Sequence, residues 1–429
     1  MSSATLDTHS PQRSHASQRS APTLAERRAA ARQRLGADGS ANRERASNLL
    51  GTWFSRHSGP PIPSASGPAP ASFYAIALIV LVFVMLGLVM VLSSTAAMAV
   101  GGDGSPYVAF ARQSMWALLG AMALFTTMKM PYEYWRPLGP PMLGLATLAM
   151  LLPFVPGLGA NINDTRAWVH LGGLSFQPSE VMKLASLVVV ARLYADSKDI
   201  GRGFKASMMP VVVITGLGSS LALAQGDFGS AVVMAGIVIA VAFLAGVPVR
   251  YLSTMIVGGA TLLTLFVVTS PRRVARFTSF LDMESNREHT AYQTYQGFLS
   301  MANGGLTGSG IGGSNGKLGY LPLAHSDFIF AIIADELGFV GSLAVIGGFA
   351  LLVWFGIQVA LAAPDRFGML LAGGIAAWFG IQTLVNLGGV TGLMPVTGLT
   401  LPFFSVGGTS LFVMLAASGI LLNIARRMV

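Results

Sequence analysis

Cysteine is missing from all 429 residues, only 10% of them are charged, and histidine occurs six times. Without thiols there is no disulfide framework and no thiolate metal site, and the chain carries no mark of either redox compartment. Charged residues make up about 25% of an ordinary soluble protein, so this shortage excludes that class and a disordered chain as well. What is there instead is apolar: 53% of residues are hydrophobic, accompanied by 51 glycines and 21 methionines. A bilayer is the solvent such a chain requires. The formal net charge of +9 matters less as a sum than through its distribution. Lys and Arg in short loops and tails decide which side of a membrane a segment faces.

Residues 1–72 hold nine arginines against four acids and are rich in Ser, Ala, Pro and Gly. That composition buries no core and reads as a disordered basic cytoplasmic tail. Within it, residues 22–35 (PTLAERRAAARQRL) have the makings of a short basic surface helix, a solvated tail being the simpler reading. No apolar core with a small-residue cleavage site lies close behind the N-terminus, so the first apolar segment is expected to stay as an anchor. From Phe73 onward, stretches of about 20 apolar residues recur, the length that crosses ~30 Å of hydrocarbon. The pattern predicts an all-α, polytopic membrane protein with about ten spans. They fall near 73–98, 108–128, 137–156, 177–195, 206–224, 229–247, 251–269, 327–357, 367–390 and 404–425. With the N-terminus inside, 19 of the 27 Lys and Arg lie in cytoplasmic parts, which puts both termini in the cytoplasm. One external segment, residues 270–326, separates spans seven and eight and collects Arg272, Arg273, Arg276, Arg287 and Lys317. A loop of that length in a compact bundle usually has a task of its own.

An ionisable group near the bilayer centre costs at least ~2.5 kcal/mol, so each one needs a partner, water or a function. Glu180 and Lys183 open span four behind Pro178, and their i,i+3 spacing puts both on one helix face. They read either as a structural ion pair or as groups facing a polar cavity. Asp227, in AQGDFGS, reads first as a turn former between spans five and six. Asp327, in YLPLAHSDFIFA, stands just before a long apolar run. Two roles are equally open to it: a helix cap, or a carboxylate in a basic, substrate-sized cavity with His325, Lys317 and the external arginines around it. Asp335 and Glu336 come two turns deeper; adjacent residues diverge on a helix, so at least one is expected to hydrogen-bond within the bundle.

The external segment also contains NGGLTGSGIGGSNGKLGYLP. Its G-x-G-x-x-G lacks the preceding strand and following helix of a dinucleotide fingerprint, so that match is rejected. Such glycine density suits backbone packed against other backbone or a ligand. A second Gly/Pro-rich stretch, residues 390–410, cannot be helical throughout. Irregular backbone at membrane depth is tolerated where it lines an enclosed or watery cavity, so the two stretches are expected to share one external cleft.

These motifs together resemble the SEDS family (shape, elongation, division and sporulation). The resemblance runs from about residue 73 to 427. It is carried by Arg166 and Trp168 before FQPSE at 176–180, Lys183, the GDFGS turn, YQTYQGFLS at 292–300, the glycine run into YLPLAHSDFIFAIIADELGFVG, and NLGGVTGLMPVTGLTLPFFSVGGTS at 386–410. Gly226, Leu323, Asp335 and Val406 depart from the usual family residues, and none of the four removes the acidic candidate Asp327. The wording of the last motif and the basic tail are more similar to the division (FtsW) branch than to the elongation (RodA) branch.

The resemblance implies a peptidoglycan glycosyltransferase that polymerises lipid II at the outer face of a bacterial cytoplasmic membrane. It also implies a class B penicillin-binding transpeptidase and other division proteins as partners, with no nucleic acid. By motif, the family's essential loop aspartate is Asp327 and its buried pair is Glu180 and Lys183. The expected substrate-binding set is Arg166, Trp168, Lys317, His325, Gln293 and Ser405. Glycosyl transfer from a lipid diphosphate needs a base for the acceptor hydroxyl and positive charge for the departing diphosphate. Asp327 is the candidate base, and a divalent cation, Mg2+ or Mn2+, would suit an oxygen-only site. One base with direct attack implies inversion. A flippase using Glu180, Lys183 and Asp335 as a polar path, an elongation-type polymerase, and a non-catalytic scaffold are the alternatives.

Overall fold

A computed structural model describes residues 67–96, 106–162, 165–171, 174–201, 203–289, 291–314, 321–322 and 325–428. The expected tail falls outside the described residues up to position 66, as does Lys317. The first helices are α1 (Ala71–Ala96), α2 (Pro106–Lys129), α3 (Trp135–Leu151), α4 (Pro178–Asp196), α5 (Phe204–Ala224), α6 (Phe228–Leu244) and α7 (Val249–Val268). Two shorter ones follow, α8 (Pro271–Leu281) and α9 (Tyr292–Asn303), then α10 (Ile329–Leu361), α11 (Arg366–Val390) and α12 (Gly408–Ala425). Among the described residues, each of the ten expected spans coincides with one of the ten longer helices. Eight are long and apolar enough to cross a membrane on composition alone. Of the other two, α6 is 17 residues long, and α4 carries Glu180, Lys183, Arg192 and Asp196.

The reason α4 tolerates those charges is its place. Fourteen of its positions are buried, including Glu180 and Lys183, because it runs through the middle of the bundle against α3, α6 and α11. The outer helices are apolar on the sides that meet nothing: Leu78 and Leu81 on α1, Leu118 and Met122 on α2, and Val257 and Leu262 on α7 are all exposed. In a bilayer these faces meet lipid, which has no reason to reject them. This is a multi-pass membrane protein.

The loop between α3 and α4 holds structure that the hydropathy pattern did not announce. Strands β1 (Gly159–Ile162), β2 (Thr165–Leu171) and β3 (Leu174–Phe176) form an antiparallel sheet in that order. Ala160 lies opposite Trp168, and Val169 opposite Phe176. The side-chain period of two sends Ala167 and Val169 inward and leaves Arg166 and His170 exposed on the other face, with Trp168 half-buried between them. The long segment between α7 and α10 is likewise partly helical, supplying α8 and α9.

The continuation of that segment docks onto a break in α10. Gly338 has φ 68° and ψ −168° in the middle of the helix, where no L side chain is comfortable. The amide–carbonyl pairs freed by the break are taken by the glycine run. Ser309 N–H donates to Asp335 O at 2.9 Å, Gly310 N–H to Glu336 O at 3.0 Å, and Phe339 N–H to Gly305 O at 2.9 Å. A Cβ at Gly338 would lie 2.6 Å from Leu306 O and collide with the Gly308 amide, so glycine is needed on both sides of this contact. Asp335 completes the junction. Its fully buried carboxylate accepts from Ser300 Oγ at 3.0 Å, Asn303 Nδ2 at 2.8 Å, Ser309 Oγ at 3.4 Å and Ser314 Oγ at 2.5 Å. Glu336, pointing the other way, accepts from Ser93 Oγ of α1 at 2.6 Å. The two adjacent acids therefore serve separate helix contacts, as their divergence on the helix requires.

Candidate functional site at the loop-bearing end

The N-terminus of α4, the C-terminus of α11, the N-termini of α10 and α12 and the small sheet share one end of the bundle. Residues 391–407 cross it without regular structure for most of their length. This segment is pinned by side chains rather than by a ladder. Phe403, at φ 68°, is the described non-glycine residue with a positive φ. It is held there with Phe404 by rings from α1, α10 and α11: Phe83 and Phe349 lie 5.0 and 6.0 Å from Phe404, and Phe379 lies 5.4 Å from Phe403. A left-handed phenylalanine costs on the order of 1–2 kcal/mol, which the burial of two aromatic side chains readily offsets.

Two carboxamides one turn apart on α11 hold the preceding residues. Gln382 Nε2 donates to Thr400 O at 3.0 Å. Asn386 Nδ2 donates to Leu399 O at 2.7 Å and to Asp327 O at 2.9 Å. Gln382 Oε1 in turn accepts from Lys183 Nζ at 3.1 Å and from Trp378 Nε1 at 2.9 Å. Lys183 pairs with Glu180 at 2.8 Å and lies 5.8 Å from the centre of the Trp378 ring. The two groups form an enclosed ion pair, and its lysine reaches α11. Asp227 caps α6 by accepting the Ser230 N–H at 2.9 Å, and its second oxygen accepts from Gln177 Nε2 and Ser179 Oγ at the start of α4. Its turn-forming role is the observed one.

Asp327 stands immediately before Phe328, which takes the N-cap position of α10 without a side-chain cap bond. It is 7% exposed, and its Oδ1 accepts from Ser326 Oγ at 2.9 Å. With Asn386, Gly389, Val390 and residues 396–399 it lines a recess of about 10 Å3, room for roughly one water. His325 is joined to the far end of the same crossing segment, its carbonyl accepting the Val406 N–H at 3.0 Å. The His325 Nδ1 is buried without a hydrogen-bond partner among the described residues, and burial lowers the pKa of the imidazole from its ordinary 6.5.

The two Gly/Pro-rich stretches expected to share a cleft meet different partners: residues 305–310 dock on the break at Gly338, whereas a Cβ on Gly392 would meet the Phe298 ring of α9. The other expected site residues are placed as follows. Ser405 is buried, accepts the Leu401 N–H at 2.8 Å through its hydroxyl and the Gln113 amide at 3.1 Å through its carbonyl, and so shapes the crossing segment. Gln293 donates to Pro322 O at 3.0 Å. Arg166 and Trp168 are on β2, which is tied to the bundle by Arg166 N–H to Gln225 O at 2.8 Å. They belong to the same end of the bundle but to a separate element from Asp327. Among the described residues no group of three His, Asp or Glu could hold a metal. Sequence reasoning passed over Gln382, Asn386 and Thr400. The available signal was two carboxamides four residues apart in an otherwise apolar span, where an unsatisfied amide would be costly.

Comparison with known proteins agrees with this architecture. The family model described as cell cycle protein, covering FtsW, RodA and SpoVE, matches residues 74–428. A probable peptidoglycan glycosyltransferase FtsW of Geobacter metallireducens is 36% identical over 353 residues, 82% of this chain and 94% of its own. Stage V sporulation protein E of Bacillus subtilis is also 36% identical, over 82% of this chain and 96% of its own. Among solved structures, a chain from a peptidoglycan synthase complex that coordinates polymerization and crosslinking superposes with a TM-score of 0.68 at 31% identity, covering 82% of this chain and 97% of that one. The rod shape determining protein RodA of Thermus thermophilus gives 0.62 at 31% identity, covering 82% and 96%. Matches that cover 82% of the chain, on a bundle with the expected motifs at one end, place the chain in the FtsW/RodA/SpoVE family of cell cycle proteins.

Proposed function

We propose that the protein is a peptidoglycan glycosyltransferase that polymerises lipid II into glycan strands at the outer face of a bacterial cytoplasmic membrane, in the division branch of its family. The observation that carries this reading is the position of Asp327: a carboxylate at the loop-bearing end, at the head of a spanning helix, in a recess shared with Asn386, Gly389 and Val390 of α11 and with residues 396–399. Lys129, Arg136, Arg192, Lys198, Lys205, Arg250, Arg366, Arg426 and Arg427 all belong to the opposite end. The positive-inside rule makes that end cytoplasmic, with both termini on that side, and the Asp327 end external.

In the proposed reaction Asp327 takes the proton of the acceptor sugar hydroxyl, whose oxygen bonds to the donor's anomeric carbon while the bond from that carbon to the diphosphate breaks. The diphosphate leaves with the electron pair, and attack from the opposite face inverts the centre. Arg166 and Lys317 supply positive charge for the diphosphates, and Trp168, Gln293, His325 and Ser405 shape the surrounding pocket. The recess lining offers a divalent cation one carboxylate, Asp327, so Mg2+ or Mn2+ would be held mainly by diphosphate oxygens. Polyprenyl chains stay in hydrocarbon beside the bundle. The recess as it stands has room for about one water, so residues 396–398 must withdraw to admit a sugar while Leu399 stays held by Asn386. A class B penicillin-binding transpeptidase is the proposed partner, alongside other division proteins. The structural likeness to a synthase complex and the names of the relatives support this.

A flippase is less well supported, because Glu180–Lys183 and Asp335 belong to two separate hydrogen-bond networks instead of one path. The test is polymerisation of purified lipid II with the transpeptidase partner, with and without EDTA. Asp327→Asn is expected to abolish glycan chains while the protein still folds and binds the partner. Wild-type rates in that variant would refute the base assignment, and translocation without polymer would favour the flippase.

A further inference from the structure

Asn386 is 3% exposed and lies on the wall of the recess that Asp327 shares. Which end of its side chain is nitrogen follows from chemistry: one end faces two carbonyl oxygens, Asp327 O and Leu399 O, and only the NH2 can satisfy both. Both protons are thereby used, and the oxygen is left over. Asn386 Oδ1 is buried without a hydrogen-bond partner among the described residues. An asparagine that served packing alone would be satisfied at both ends, since an empty buried acceptor is unfavourable. The donor half of this side chain ties the backbone of Asp327 to the crossing segment that forms the opposite wall. The acceptor half waits for a donor that the described residues do not supply.

We propose that Asn386 is a positioning residue for Asp327 whose Oδ1 accepts a sugar hydroxyl as the acceptor substrate reaches the recess. This rests on the glycosyltransferase reading. Its neighbour Gln382, one turn away, holds the next carbonyl of the same segment and takes a hydrogen bond from Lys183. The buried ion pair thus steadies the wall that Asn386 clamps, and Asn386 joins that wall to the Asp327 backbone by its two side-chain hydrogen bonds.

The experiment measures lipid II polymerisation by the full chain with its transpeptidase partner, with rates normalised to partner-bound protein. Asn386→Ala, Asn386→Ser and Asp327→Asn are compared with the parent. Displacing a catalytic group by a fraction of an ångström to one ångström costs up to about 100-fold, so Asn386→Ala is expected to lower kcat by about 10- to 100-fold. Asn386→Ser, which keeps one donor and one acceptor, should recover part of the loss. A kcat unchanged per partner-bound molecule, or a change in KM alone, overturns the proposal. Loss of folding in both Asn386 variants overturns it too, by making the residue a folding determinant only. If Asp327→Asn is inactive while Asn386→Ala is fully active, this inference fails and the base assignment stands. If Asp327→Asn is active, the base assignment fails independently.

Discussion

Replacing Lys183 by methionine tests how the bundle tolerates charge at its centre. Lys183 is fully enclosed and the Glu180 side chain is 3% exposed, with Nζ 2.8 Å from Oε1. At an effective dielectric constant of about 20, charges at that separation attract by roughly 6 kcal/mol. Desolvating each ion costs several kcal/mol, so the pair as a whole is close to neutral against two apolar groups of similar shape. Removing one partner is a different matter. Lys183→Met strands Glu180, whose second oxygen is already without a hydrogen-bond partner among the described residues, and deprives Gln382 of one donor. The expected loss is about 3–5 kcal/mol, a large share of the ~5–15 kcal/mol that stabilises a folded domain. Glu180→Gln combined with Lys183→Met should recover most of it. The assay is reversible unfolding in mild detergent followed by tryptophan fluorescence, for which Trp378 against Lys183 is a local reporter. A cost below about 1 kcal/mol for Lys183→Met, or a double variant as unstable as the sum of the singles, would refute the reasoning.

Asp335→Ala should leave the donors of Ser300, Asn303 and Ser314 without their shared acceptor, while Ser309 Oγ keeps the backbone carbonyl of that position at 3.0 Å, and cost about 2–4 kcal/mol. Hydrogen exchange over residues 304–314 should accelerate most; unchanged protection there would show that the loop is held by backbone alone. Gly338→Ala, strained by its positive φ and by contact with Leu306 O and Gly308, is expected to lower the unfolding temperature and the yield of monodisperse protein. An unaltered midpoint would contradict it. His325 binds its proton less readily in the folded protein than in the unfolded chain, where the pKa is about 6.5. Acidification from 6.5 through its lowered folded pKa should therefore destabilise the protein, and stability above 6.5 should not depend on it. A parent and a His325→Asn variant with the same slope of stability against pH would rule this out.

Much of the architecture was legible because apolar runs and positive loops are local properties of the chain. The ten spans need only about 20 residues of low polarity each, and even α4, whose four charges weaken its hydropathy, was visible through Pro178 and the i,i+3 pair behind it. Glycine density at 304–313 correctly announced close backbone contact. The partner of that contact, the broken turn at Gly338, was not legible, because a lone glycine in an apolar run looks like many others. The sheet at 159–176 was missed for a similar reason: its strands are too short to show an alternation that stands out from a loop.

The sequence by itself thus determined that this is a membrane bundle with one elaborated end, and which acids stand near that end, because burial in lipid and charge placement act residue by residue. Only the tertiary structure decided what those acids touch. Asp335 became the anchor of the glycine loop, Asp227 a helix cap, and Asp327 the wall of a water-sized recess clamped by Asn386. These roles depend on residues 59 positions apart for Asp327 and Asn386, and 199 apart for Lys183 and Gln382. Hydrogen bonds reach only about 3 Å and are directional, so no spacing along the chain announces them until the helices have packed.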